Sequence, residues 1–139
     1  GLDRALSLLR HMPAGSREGL LRTLGERDPR LRRELENRMF TFDDLLELDD
    51  FEFRQLIERV RRTGRDLWPL ALRSCSILIK DRLYNNMSSG MRDEVDYRLE
   101  TMGRRAVSQV HQAQQRIVLI AQEMTEEGIL NFGSTEKFV

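Results

Sequence analysis

The chain reads as an all-α protein, and three features of its sequence say so. Apolar residues return every three or four positions in one stretch after another, the period of a helix buried along one side. These stretches are punctuated by residues that start and stop helices: Asp28-Pro29, Asp49-Asp50 and Ser88-Ser89 before them, Gly64, Gly103 and Gly128 after them. The composition, 40% hydrophobic and 33% charged, is the balance of helical globular proteins and holds enough apolar side chains to condense. At 139 residues there is room for one domain, or for a small unit attached to a medium one. Lys plus Arg equals Asp plus Glu, 23 of each, so no net field draws the chain to nucleic acid or an anionic membrane. Electrostatic recognition, where it occurs, is local.

The elements follow in order. Leu2, Leu6, Leu9 and Met12 recur at helical spacing until Pro13-Ala14-Gly15-Ser16 breaks the pattern. Ser16 is placed to cap a second helix through Leu24, with Gly25 as its terminator. Asp28-Pro29 opens a third, with aspartate at the cap and proline at the first helical position, where its missing N–H costs nothing. Three short helices of this kind form an armadillo-like unit. Such a unit cannot bury its apolar faces alone, so it stacks on a neighbour or caps the larger block that follows. Next comes the joint Arg38-Met39-Phe40-Thr41-Phe42-Asp43-Asp44, where Met39, Phe40 and Phe42 demand a partner surface. Asp43 and Asp44 can serve the N-terminal end of the next helix.

Beyond the joint, Asp49 or Asp50 caps a helix in which Phe53, Leu56, Ile57 and Val60 follow the i, i+3, i+4, i+7 rule, and Gly64 ends it. Arg59, Arg61 and Arg62 crowd its last turn and read as a solvated helix end rather than a nucleic-acid patch. A short helix spans Asp66 to Arg73 with Trp68 and Pro69 near its start, and Leu72, Cys75, Ile79 and Leu83 form an apolar stripe. Ser88 or Ser89 caps the helix after the turn at 84–90. There Met91, Val95, Leu99 and Met102 define the buried side, and Asp93, Asp96, Tyr97 and Glu100 occupy the opposite face. The last long helix starts near Val107, buries Val110, Ala113, Ile117, Ile120, Ala121 and Met124, and stops at Gly128. Its length of roughly 30 Å is enough to cross the whole block, and 129–139 follow as an extended tail.

Catalytic and metal chemistry find no motif. His11 and His111 lack helical or hairpin spacing to a second ligand, and Cys75, the one cysteine, excludes an internal disulfide and reads as a reduced, buried spacer. Asp43-Asp44 and Asp49-Asp50 stand where helix caps are needed, so capping accounts for them without a metal. There is no glycine-rich phosphate loop or nucleophile elbow, and no cofactor is expected. The longest apolar run, Ile117 to Ala121, is too short to span a bilayer, and no charged-then-apolar targeting segment begins the chain, so a cytoplasmic location is expected.

Several segments together are similar, in colinear order, to the C-terminal region of the flagellar motor switch family FliG. They are Asp28-Pro29, the joint from Arg38 to Asp44, Leu48-Asp49-Asp50, Leu70-Ala71-Leu72-Arg73, Asn86-Met87-Ser88, Met102-Gly103, Ser108-Gln109-Val110 and Gln114-Gln115-Arg116-Ile117. The resemblance implies an armadillo-like subdomain over 1–38, a flexible hinge of Met39, Phe40, Thr41 and Phe42, and a six-helix subdomain over 43–139. It also implies a fragment of a longer protein, because the family's amino-terminal and middle domains have no counterpart here.

On the same resemblance the helix at about 88–103 faces the stator and bears the charges that transmit torque. Arg73 matches a family cation, whereas Gly90 stands where an arginine is usual and Tyr97 and Arg98 replace the usual acidic pair. The family's Gly-Pro-Val-Arg reads Gly103-Arg104-Arg105-Ala106, and a capping-box glutamate is replaced by His111. The implied stator-facing set is therefore Arg73, Asp93, Asp96, Arg98, Glu100, Arg104 and Arg105, with Asp93, Asp96 and Glu100 substituting for the lost acids. Exposed ion pairs contribute under about 1 kcal/mol each, so such positions drift if the pattern of sign is kept. The implied partners are further copies of the chain stacked into a ring, the switch protein FliM and the cytoplasmic loop of the stator protein MotA. The implied place is the flagellar basal body at the inner face of the cell membrane. The alternative is a divergent paralogue that keeps stacking and hinge without torque, as a scaffold or assembly module. A hinge that packs in two ways would give the charged face two orientations, as a directional switch requires.

Overall fold

Local signals account for most helix starts and stops. The computed structural model describes residues 2–132, apart from the side chains of Ala14 and Asn37, and all regular structure among them is helical. The order is α1 (Leu2–His11), α2 (Ala14–Arg27), α3 (Pro29–Met39), a 3-10 helix (Phe42–Glu47), α4 (Asp50–Thr63), α5 (Leu67–Leu72), α6 (Ile77–Asn85), α7 (Ser89–Thr101) and α8 (Val107–Glu126). The expected tail beyond residue 132 lies outside the described residues. Residues 2–41 and 42–132 form two compact units, each with its own core.

In the first unit, Leu6, Leu9, Leu21, Leu35 and Met39 are buried together, with Leu2, Ala5, Met12, Leu24, Leu31 and Phe40 packed around them. Asp28 caps α3 as expected, its Oδ1 accepting the Leu31 N–H at 3.1 Å, with Pro29 in the first turn. The expected limits of the second helix are corrected. The helix starts at Ala14 after Pro13 with no side-chain cap, and it runs through Gly25 to Arg27. Gly25 leaves room instead: a Cβ there would come within 2.7 Å of Arg32 Cδ, so its bareness gives the Arg32 side chain its path. Arg32, running across that gap, pairs with Glu36 at 2.7 Å and Glu18 at 3.2 Å.

In the second unit α8 is the spine, packing on α5, α4 and the 3-10 helix. Its expected stripe is buried throughout, and Val118 joins it. Asp49 and Glu52 form a reciprocal capping box at the start of α4, with N–H···O distances of 2.8 and 3.0 Å, and Gly64 closes its end. Trp68 lies in the core at 2% exposure, donating its indole N–H to the Ile57 carbonyl at 3.2 Å. The stripe expected from Leu72 through Leu83 is divided: Leu72 ends α5, Cys75 lies half-buried in the turn, and a new helix capped by Ser76 carries Ile79 and Leu83.

The first residues of the expected tail, 129–132, have no regular structure but pack against the second unit. Gly128, at φ +81°, reverses the chain: its N–H bonds Thr125 O at 3.0 Å and that of Ile129 bonds Met124 O at 2.9 Å, the paired bonds of a Schellman motif. The chain thereby turned back buries Leu130 and Phe132. Asn131 N–H bonds Glu52 Oε2 at 2.7 Å, so the capping-box glutamate also holds this segment.

Candidate docking surface on the charged helix

The charged helix begins at a serine cap, Ser88 Oγ accepting the Met91 N–H at 3.2 Å. Only Val95 of α7 is buried, and Met91, Leu99 and the following Met102 are half-buried, so the expected apolar stripe rides along the edge of the core. Asp93, Asp96, Tyr97 and Glu100 face outward, Tyr97 being 66% exposed. Their i, i+3 and i, i+4 spacings make them one ridge.

The seven charged candidates separate into two groups. Arg98 turns inward: its Nη1 donates to Asp66 Oδ1 at 2.8 Å and its Nε lies 3.6 Å from Glu94 Oε1. Arg73, just past the end of α5, donates from Nη1 to the Leu99 carbonyl of α7 at 3.0 Å. Asp96 is exposed yet held, accepting the Tyr84 hydroxyl of α6 at 2.6 Å. Partial burial and then the Asp96 bond push the Tyr84 phenol well above its usual range, because both favour the protonated form. Asp93 and Glu100 make no hydrogen bond or ion pair among the described residues, and Arg104 and Arg105 are exposed beside Gly103, whose φ of +70° ends the helix. Outward-pointing acids thus lie on α7, and outward-pointing cations lie in the loop beyond it.

The four residues of the expected hinge divide between the two units. Met39, 1% exposed, and Phe40 pack in the first unit, where the Arg17 guanidinium lies 5.3 Å from the centre of the Phe40 ring. Phe42 is buried in the second unit, its ring 6.4 Å from that of Trp68. Thr41 is exposed between them.

Two residues that hold the ridge, Asp66 and Tyr84, escaped the sequence reading. Their partners lie on other helices, so no periodicity pairs them. With Asp49 as the cap, its neighbour Asp50 accepts from Arg82 at 3.3 Å and Asn86 at 3.2 Å. Those residues line a cleft of about 560 Å³ with Leu48, Asp49, Arg54 and Asn85, and most of its polar groups are spent on one another. Burial raises the Cys75 thiol above its usual range, and the thiol bonds the Leu72 carbonyl at 3.6 Å. Among the described residues no group of acidic, histidine or cysteine side chains could hold a metal, and no helix is long and apolar enough to cross a membrane.

Comparison with known proteins bears on this arrangement. The flagellar motor switch protein FliG of Thermotoga maritima is 31% identical over 128 residues, covering 92% of this chain and 37% of that protein. FliG of Pseudomonas aeruginosa is 30% identical over 133 residues, covering 96% of this chain and 38% of its own length. The chain thus spans well under half of these curated relatives. Full-length FliG from Aquifex aeolicus superposes over 92% of this chain and 39% of its own, with a TM-score of 0.82 and 28% identity. A FliG fragment from Helicobacter pylori gives 0.67 over 94% of this chain and 56% of its own, at 25% identity. The family described as the FliG C-terminal domain matches residues 22–132, which takes in the joint, Trp68, all of α7 and the spine α8. By that match, and by the shared all-helical fold, this chain belongs to the FliG C-terminal domain family.

Proposed function

We propose that the chain is the C-terminal part of a flagellar motor switch component, in which α7 presents its charged ridge to the stator. The observation that carries this reading is the division of charge: Asp93 and Glu100 stand outward on α7 without internal partners among the described residues, and Arg104 and Arg105 stand exposed just beyond. Opposite charges on a partner would meet both signs in register, which favours orientation and rapid capture more than tight binding. A rotor element that engages and releases repeatedly needs weak, oriented contacts. The first unit stacks copies into a ring, and Met39 to Phe42 join it to the torque-bearing unit. FliM and the cytoplasmic loop of MotA are the partners of this reading, at the inner face of the membrane. Its role is mechanical rather than enzymatic.

One observation favours the scaffold alternative: Arg73, Asp96 and Arg98 are engaged within the chain itself. A single experiment separates the two. Asp93→Lys and Asp96→Lys together, in the intact protein in its own cells, are expected to leave flagellar filaments present and abolish rotation. Unchanged swimming would reject the torque role and leave the scaffold.

A further inference from the structure

We propose that Arg98 is a positioning residue: it clamps α7 to the start of α5 and so sets the direction of Asp93, Asp96 and Glu100 without joining the surface they form. The inference deepens the docking reading above and rests on it for its functional arm.

The need for a clamp follows from α7 itself. Of its 13 residues only Val95 is buried. With Met91 and Leu99 only half-buried beside it, packing alone fixes the helix weakly against rolling about its axis, and the bonds from Tyr84 to Asp96 and from Arg73 to the Leu99 carbonyl hold it at two further points. With about 100° between successive residues, a roll of a few tens of degrees carries an acid from the front of the ridge to its flank. Directional hydrogen bonds supply what packing does not, and a guanidinium, planar and always charged, supplies them best.

Arg98 has the geometry of a clamp. Its side chain is 27% exposed and lies one turn after the buried Val95, on the flank of the apolar stripe and off the outward ridge. Nη1 reaches Asp66 on the segment before α5, and Nε is buried without a hydrogen bond among the described residues. An arginine meant for a partner would hold its guanidinium out. Asp66 supplies an independent indication. It occupies the N-cap of α5, where an aspartate ordinarily accepts from its own helix, yet its side chain makes no capping bond. Its carboxylate bonds α7 instead. The cation of Arg98 is thus answered internally by Asp66 and Glu94, and the outward ridge keeps the negative sign of Asp93, Asp96 and Glu100.

The test is a charge exchange in the full chain, read by amide hydrogen exchange. Arg98→Asp and Asp66→Arg singly are expected to speed exchange in the second half of α7 by about three- to tenfold, a loosening of local opening free energy. Exchange in the core of α8 should stay unchanged, and the double variant should return α7 to within about twofold of the parent. Unchanged α7 exchange in the single variants, or a double variant no better than either, would overturn the clamp. Should Arg98→Asp also loosen α8, Arg98→Gln decides: faster exchange confined to α7 supports the clamp, and unchanged exchange rejects it. In cells, the single variants should lose rotation and the exchanged pair regain it. Cells of the single variants that still rotate while α7 exchanges faster would reject the positioning role. If instead the Asp93/Asp96 reversal leaves swimming intact, the docking reading fails while the exchange measurements still decide the clamp.

Discussion

At the scale of single residues, the charged surface depends on which side chains are already spoken for. Asp96 looks outward, but its carboxylate takes a 2.6 Å hydrogen bond from Tyr84, which ties α6 to α7. Replacing Tyr84 with Phe removes the donor and leaves an exposed acid that water can serve. The expected cost is about 1 kcal/mol in urea unfolding. The pH dependence has a definite sign. Because the folded-state affinity of Tyr84 for its proton is raised, its contribution to stability is full below the ordinary phenol range, about pH 10, and is lost as pH rises through the elevated value. In a Tyr97→Phe background, the tyrosinate absorbance of Tyr84 should therefore appear only above about pH 10. A rise at or below that point would contradict the bond.

Among the elements, the segment after α8 shows how a short piece of irregular chain becomes part of the core. Gly128 turns it back, Leu130 and Phe132 fill the surface it reaches, and Glu52 and Thr125 satisfy its backbone N–H groups. Phe132 is only 3% exposed. Phe132→Ala should cost about 3 kcal/mol or more, from the transfer of the ring and the cavity left behind. The measurement is denaturant unfolding followed by Trp68 fluorescence. A cost near zero would mean the ring adds nothing to the second core. α7 is the contrasting element, long but thinly buried, and its attachment through Tyr84, Arg73 and Arg98 is polar.

For the molecule as a whole, two cores separated at Thr41 imply two reporters of stability. Trp68, the one tryptophan, belongs to the second unit and so reports on its core alone. Ile117→Ala, at a fully buried site on α8, should shift the Trp68 transition by about 2–5 kcal/mol. Leu9→Ala, in the first core, should lower the helical signal by circular dichroism while leaving the Trp68 midpoint in place. Coincident shifts of both probes in both variants would show one cooperative unit instead.

Local features were legible in the sequence: the all-α class, the cap at Asp28, the caps at Asp49 or Asp50 and at Ser88 or Ser89 to within one residue, the ends at Gly64, Gly103 and Gly128, and the buried face of α8 apart from Val118. Each is written within one helical repeat, because capping and the 3.6-residue period act between near neighbours. The family resemblance was legible for the same reason, as short motifs in order. The tertiary structure alone decided the rest. Gly25 makes room for a side chain and does not end its helix, because what meets it is the Arg32 side chain of another helix. The place of Arg98 beside the apolar stripe of α7 gave no sign of Asp66, and Asp96 gave none of Tyr84, since those pairs are separated by 32 and 12 residues. Leu130 and Phe132 read as tail until the turn at Gly128 brought them home. Side-chain partners across helices depend on how the helices pack, and packing is set by the sum of many weak contacts that no single stretch of sequence contains.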